Sequence, residues 1–217
     1  MSIKGHFDKN NLHHAYLIEG TDEESLPEIT ELVGGGELIH IKLDSFKIDD
    51  ARNLKSYTSE KSLAHAQKKI FIISANSVLV EAQQALLKLF EEPIEDTHFF
   101  LITPDASALL STFVSRFYRI KVPTRVGNAE SFIKMPLAKR IEFLKELLAV
   151  EDEEDLSKDS PRSKALNFLN ELESTLVSRM PLDTEALNQI FKVREFLRQP
   201  GSSTKSLMES VALMLKS

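Results

Sequence analysis

The chain has 217 residues, of which 42% are hydrophobic and 28% charged, the balance of a globular protein with a packed core. A formal charge of −6 argues against tight independent binding to a phosphate backbone, and the lack of cysteine excludes disulfides and thiolate zinc sites. No apolar run approaches the roughly twenty residues that cross a bilayer, and Met1–Asn11 contains no apolar signal core, so a cytoplasmic protein without membrane contact is expected.

The first strand is predicted at about Ala15–Ile18, within LHHAYLIEG. His13 and His14 just before it invite a metal reading. On an extended segment, however, they point to opposite sides, and no carboxylate lies at ligand spacing, so a packing role is the better account. A phosphate-binding loop would follow the first strand. It needs glycines, a lysine and a Ser/Thr opening the next helix. The sequence here is Gly20-Thr21-Asp22-Glu23-Glu24-Ser25-Leu26-Pro27, with no lysine. Three carboxylates stand where phosphates would lie, and like charges about 4 Å apart repel by about 1 kcal/mol even in water. Ser25 and Glu28 have capping-box spacing, with Pro27 in the first turn and Leu26, Ile29 and Val33 on one apolar side. Gly34, Gly35 and Gly36 follow a helix rather than a strand, so they suit a helix end and turn. A second strand is expected at Leu38–Leu43. A helix follows over Ile48–Ser59, its inner face formed by Ile48, Ala51, Leu54 and Tyr57.

The middle of the chain is the most regular. Lys69–Ile73 and His98–Thr103 are runs of β-branched and aromatic residues, and Tyr118–Val122 ends the series. All three read as strands covered on both faces. Between the first two, a helix places Ala82, Ala85, Leu86, Leu89 and Phe90 on one face and is stopped by Pro93. A short helix is predicted over about Ser107–Val114, leading to Ser115 and Arg116. Strands alternating with helices in this way build a parallel sheet by crossovers. After the Lys69–Ile73 strand come Ser74-Ala75-Asn76, which bring no carboxylate of the kind that holds Mg²⁺. Glu91 and Glu92 are helix neighbours diverging by about 100°, which argues against a carboxylate dyad. Beyond Val122 only helices are expected, at about 128–134, 137–150, 163–178, 183–197 and 204–215. The acidic run Glu151–Asp155 reads as a solvated loop.

The ordered series AQQALLKLFEEP, HFFLIT and STFVSRF resembles the core of bacterial clamp-loader subunits of the AAA+ class, within the DNA polymerase III assembly, and most nearly their delta-prime branch. The family's serine-arginine-cysteine motif becomes Ser115-Arg116-Phe117, with the cysteine replaced. The resemblance implies an AAA+-like parallel five-stranded sheet flanked by helices over residues 1–124. A reduced lid and an all-α, collar-like bundle are implied over 125–217. It also implies a non-hydrolysing subunit with no cofactor or metal of its own, whose Arg116, supported by Ser115, acts as a trans arginine finger on ATP held by a neighbour. The implied partners are ATP-binding AAA+ homologues and, through the complex, the sliding clamp and primed DNA. A degenerate gamma/tau-type or delta-type subunit and a stand-alone AAA+-like regulatory module are the alternatives; an active ATPase would need both missing sites.

Overall fold

The computed structural model describes residues 3–7, 11–33, 36–59, 68–92, 94–122, 128–149, 160–199 and 201–215. Gly34, Gly35, Pro93, the acidic run Glu151–Asp155 and the expected boundary at 124 lie outside them. Two compact units emerge, Met1–Pro123 and Thr124–Ser217.

The first unit is a five-stranded parallel sheet with helices on both faces. Its strands are β1 (Ala15–Glu19), β2 (Glu37–Phe46), β3 (Lys69–Val78), β4 (Thr97–Thr103) and β5 (Tyr118–Lys121), in spatial order β2-β3-β4-β1-β5. β1 therefore inserts between β4 and β5, pairing Leu17 with Leu101 on one side and with Arg119 on the other. Side-chain alternation divides the core in two. Leu17, Phe71, Ile73, Phe99 and Leu101 face helices α2 (Ile48–Ser59), α3 (Val80–Glu91) and α4 (Ser111–Val114), which contribute Leu54, Leu86, Phe90 and Phe113. Tyr16, Ile18, Ile70, Ile72, Phe100 and Ile102 pack on the opposite face, where α1 (Asp22–Val33) supplies Ile29.

The structure corrects several sequence expectations. Of the three late strands, β5 is not covered on both faces: Tyr118, Arg119 and Lys121 are exposed and only Ile120 is buried, because β5 is a sheet edge. β2 and β3 run past their apolar segments. Their ladder continues through Lys42 opposite Ser74 to Phe46 opposite Val78, supported by Asn76–Asp44 (2.8 Å) and Ser77–Ser45 (3.1 Å) side-chain bonds. Ser74, Ala75 and Asn76 thus lie within the strand. On α2, Ala51, Leu54 and Thr58 are buried while Ile48 and Tyr57 are exposed.

The expected helix over 107–114 is broken. A single 3-10 turn, Ala106–Ala108, is capped by the Asp105 side chain; Leu109 and Leu110 are then extended before α4 begins. The break is fixed by Gln83, which is fully buried on α3. Its Oε1 accepts from the Leu110 N–H (2.7 Å) and its Nε2 donates to the Val78 carbonyl (2.7 Å), satisfying two backbone groups at once. Gly36 has a local steric reason: a Cβ there would stand 2.9 Å from the Lys68 carbonyl oxygen, the acceptor for the Glu37 N–H.

The second unit contains α5 (Ala129–Lys134), α6 (Leu137–Leu147), α7 (Pro161–Val177), α8 (Thr184–Leu197) and α9 (Thr204–Met214). Ser160, Asp183 and Ser203 each accept a backbone N–H at the start of their helix, which sets the boundaries of α7, α8 and α9. Phe132, Leu144, Phe168, Leu172, Ile190, Val193, Met208 and Val211 make the core. Arg140 is buried among them with 2% exposure. Its guanidinium donates to the carbonyls of Phe132 (3.1 Å) and Ile133 (2.6 Å) at the end of α5, and of Ala212 (3.1 Å) and Leu215 (2.8 Å) at the end of α9. Burial lowers its pKa from the usual arginine value.

Candidate functional site

Among the described residues of the first unit, the polar chemistry that bears on the expected sites lies in two places. The first lies where β1 passes into α1. Gly20 donates its N–H to the Thr103 carbonyl (3.1 Å), and a Cβ there would press on Val122 at 3.2 Å. The helix then starts at Asp22, three residues before the expected capping box. Ser25 is consequently inside the helix and fully buried, and its hydroxyl has no hydrogen-bond partner, so it does not cap.

Asp22 itself is turned inward with 8% exposure. The Ser74 hydroxyl donates to its Oδ1 (2.5 Å), and Lys42 Nζ lies 3.3 Å from its Oδ2. His40 Nε2 is 3.4 Å from Oδ1 and 3.0 Å from Ser74 Oγ. Burial alone would raise the carboxyl pKa. Hydrogen bonds to His40 and Ser74, with the positive charges of protonated His40 and of Lys42, outweigh it and hold the pKa at about 2. The repulsion expected of carboxylates at this position is therefore met, at Asp22, by a cation from β2. Sequence reasoning missed this pairing. The signal was available: in LIHIKL, His40 and Lys42 alternate on one face of an apolar strand, and Lys42 is in register with Ser74.

This cluster gives a pH prediction. A folded pKa of about 2 against an ordinary 3.8 contributes stability above pH 4, lost as the pH falls toward 2, and amounts to about 2 kcal/mol. Asp22→Asn should therefore be less stable than the wild type by about 2 kcal/mol at pH 5. The gap should close near pH 2, as read from urea midpoints at the two pH values.

The second place is an open cleft of about 540 Å³, lined by His13, His14, Phe90, Glu91, Arg116 and Tyr118 among others. Arg116 follows the single turn of α4, its N–H bonded to the Phe113 carbonyl (3.2 Å). Its Nη2 donates to Glu91 Oε1 at 2.7 Å, with both side chains more than 40% exposed. The Ser115 hydroxyl is turned to the backbone, donating to the Thr112 carbonyl (2.9 Å) at the end of α4. Arg119 on β5 lies 3.9 Å from Glu19. Glu92 lies 4.0 Å from Lys88, so the two adjacent glutamates serve different cations.

The two histidines are not on opposite sides. The chain bends at His14 before β1, and the rings sit 4.3 Å apart. His13 Nδ1 is 2.8 Å from the Ala15 carbonyl, and His14 Nε2 is 3.1 Å from the Phe90 carbonyl. Burial first, then the neighbouring His13, lowers the His14 pKa, against the raising effect of the Phe90 bond. Both rings thus tie the start of β1 to backbone carbonyls, one of them on the last turn of α3. Among the described residues no group of three or more His, Cys, Asp or Glu is arranged to hold a metal ion, and no helix is long and apolar enough to cross a membrane.

Residues 24–125 match the family model described as DNA polymerase III, delta subunit. The chain is 27% identical to DNA polymerase III subunit delta' of Bacillus subtilis (strain 168), over 88% of this chain and 62% of that protein. It is 28% identical to the delta' subunit of Haemophilus influenzae over 56% of this chain and 34% of that one. It is 33% identical to that of Buchnera aphidicola over 40% and 26%. The chain thus spans between about a quarter and three fifths of the length of the curated relatives it matches. Among solved structures, a DNA polymerase III gamma subunit-related protein from Thermotoga maritima aligns with TM-score 0.46 and 17% identity, over 92% of both chains.

Proposed function

From the match of residues 24–125 to a DNA polymerase III subunit model and the similarity to delta' subunits, we propose that this chain is a non-hydrolysing subunit of a clamp loader. In that role it supports ATP-dependent loading of the sliding clamp onto primed DNA, within a cytoplasmic hetero-oligomer of ATP-binding homologues. The observation that carries the non-hydrolysing part is the Asp22 cluster. A nucleotide site needs a lysine for phosphate and carboxylates for Mg²⁺. At the head of α1 this chain has a carboxylate instead, engaged by its own Lys42, and β3 offers Ser74, whose hydroxyl is also spent on Asp22. A triphosphate would have to displace that pair and bring its charge beside a carboxylate ionised down to about pH 2.

What remains for the subunit is to act on a neighbour. Arg116 stands in an open cleft, carries a permanent charge, and has a planar donor array suited to phosphate oxygens. It acts in trans on ATP bound by the adjacent subunit, neutralising charge that develops on the transferred phosphoryl group. Ser115 serves by ending α4, so that Arg116 leaves the turn at a fixed point.

Equilibrium dialysis of the isolated chain with ATP and Mg²⁺ tests the central claim. No saturable binding is expected below about 1 mM. Micromolar affinity would overturn the non-hydrolysing reading.

A further inference from the structure

Arg116 is not loose in its cleft, and the reason lies in the core beneath it. Glu91 directly follows Phe90, and Arg116 directly precedes Phe117. The two phenylalanines are in contact, ring centroids 4.7 Å apart, and both touch Phe113, at 5.6 and 5.0 Å. Phe90 also meets Phe99 edge-on at 5.1 Å. All four rings are buried. The backbone on the Glu91 side is held once more, by His14 Nε2 at the Phe90 carbonyl (3.1 Å). One aromatic cluster therefore fixes where both charged side chains leave the core, and sets them 2.7 Å apart.

The pair has two properties of a latch. It is specific in geometry, because its two anchor points belong to the core. It is also cheap to open. With both side chains more than 40% exposed, such a pair is worth roughly a factor of two to five in equilibrium constant. A multiply charged phosphate anion is a stronger partner for a guanidinium than one glutamate, since it offers two oxygens to the planar fork and more charge.

We infer that Glu91 is a positioning residue for Arg116: it parks the guanidinium on its own subunit and competes with an incoming polyphosphate for it. The inference rests on the reading of Arg116 as a group that meets phosphate. It adds that the chain carries its own internal rival for that phosphate, and that Arg116 is already aimed before any partner arrives.

Titration of the full chain with inorganic tripolyphosphate, followed through the Arg116 Nε–H signal by NMR, tests it. Glu91→Gln keeps the shape of the side chain and removes its charge. The variant should bind tripolyphosphate two- to five-fold more tightly than the wild type. Its Arg116 signal without ligand should also move toward that of a solvent-exposed arginine. Equal or weaker binding by Glu91→Gln would overturn the latch, as would an unliganded Arg116 signal identical in the two proteins. Neither result depends on an assembled complex. A complex indifferent to loss of Arg116 would end the trans role and leave the titration standing.

Discussion

Replacing Arg116 with alanine is expected to lower ATP turnover by about 10³-fold at the site it faces, within the assembled complex proposed above. The magnitude is the lower end of what a trans guanidinium contributes to phosphoryl transfer, where 10³ to 10⁵ is usual. The low end is appropriate because part of the side chain's interaction must first be withdrawn from Glu91, 2.7 Å away. Two further variants make the result specific. Arg116→Lys keeps the charge but loses the planar fork, and should recover only a small part of the rate. Ser115→Ala should change turnover less than about three-fold, since its hydroxyl bonds the Thr112 carbonyl and the loss of one such exposed hydrogen bond acts on local stability, by about 1 kcal/mol, rather than on the transferred phosphoryl group. Unchanged turnover in Arg116→Ala would remove the trans role. Single-turnover measurement on the complex separates this loss from a failure to assemble, which gel filtration would reveal.

The largest stability effect should come from Arg140→Met. The substitution preserves length and apolar bulk but strips donors from four carbonyls at the ends of α5 and α9. Carbonyls of a last helical turn have no partner within their own helix, and the negative end of the helix dipole points at them. A buried guanidinium resolves both problems, which is why its charge is tolerated at 2% exposure. The Phe132 carbonyl keeps the Met135 N–H (3.1 Å), but those of Ile133, Ala212 and Leu215 lose their guanidinium donor in a buried setting, at a cost of the order of 1 kcal/mol or more each, so a total of about 3–5 kcal/mol is expected. The measurement is a denaturant midpoint, together with hydrogen exchange of the α5 and α9 amides, which should lose protection selectively. Arg140→Lys retains the charge and some donors and should fall between the two. Wild-type stability in Arg140→Met would show that water satisfies the carbonyls.

Much of the fold was legible because burial writes itself into residue choice. β1, β3 and β4 are interior strands, and their runs of Ile, Phe and Leu are apolar on both alternating faces. The helical second half was read from three- and four-residue spacing, and Asp183 marked the start of α8 as its side chain implied. What escaped depended on partners distant in sequence. The break at Leu109–Leu110 is imposed by Gln83, twenty-seven positions earlier, and Ser25 loses its capping role because the helix begins at Asp22. The continuation of β2 and β3 rests on polar cross-strand bonds that hydrophobicity does not register. Arg140 did leave a trace. It shares one helical face with Ile141 and Leu144, so a charge stands where a core residue belongs.

The candidate site divides in the same way. Ser115 and Arg116 stand out in the sequence as candidates through an ordered pair of short motifs, whereas Glu91 reads there only as half of an improbable dyad. Its pairing with Arg116 follows from the ring cluster, which brings the end of α3 to the end of α4. The absence of a phosphate-loop lysine was plain in the sequence; the presence of Lys42 in its neighbourhood was not, because that lysine arrives on another strand.

The position of β5 at the rim of the sheet has a consequence for how the molecule behaves at high concentration. A rim strand with unmatched amides and carbonyls is a template on which another chain can nucleate cross-β growth. Here the strand is only four residues long, and two of them, Arg119 and Lys121, present cations outward. Docking a second copy of this strand would bring Arg119 and Lys121 up against their own counterparts, and the one carboxylate beside them, Glu19 at 3.9 and 3.4 Å, is shared by both cations. The short basic strand thereby disfavours cross-β growth at this edge of the sheet; the ten-residue β2 forms the other edge.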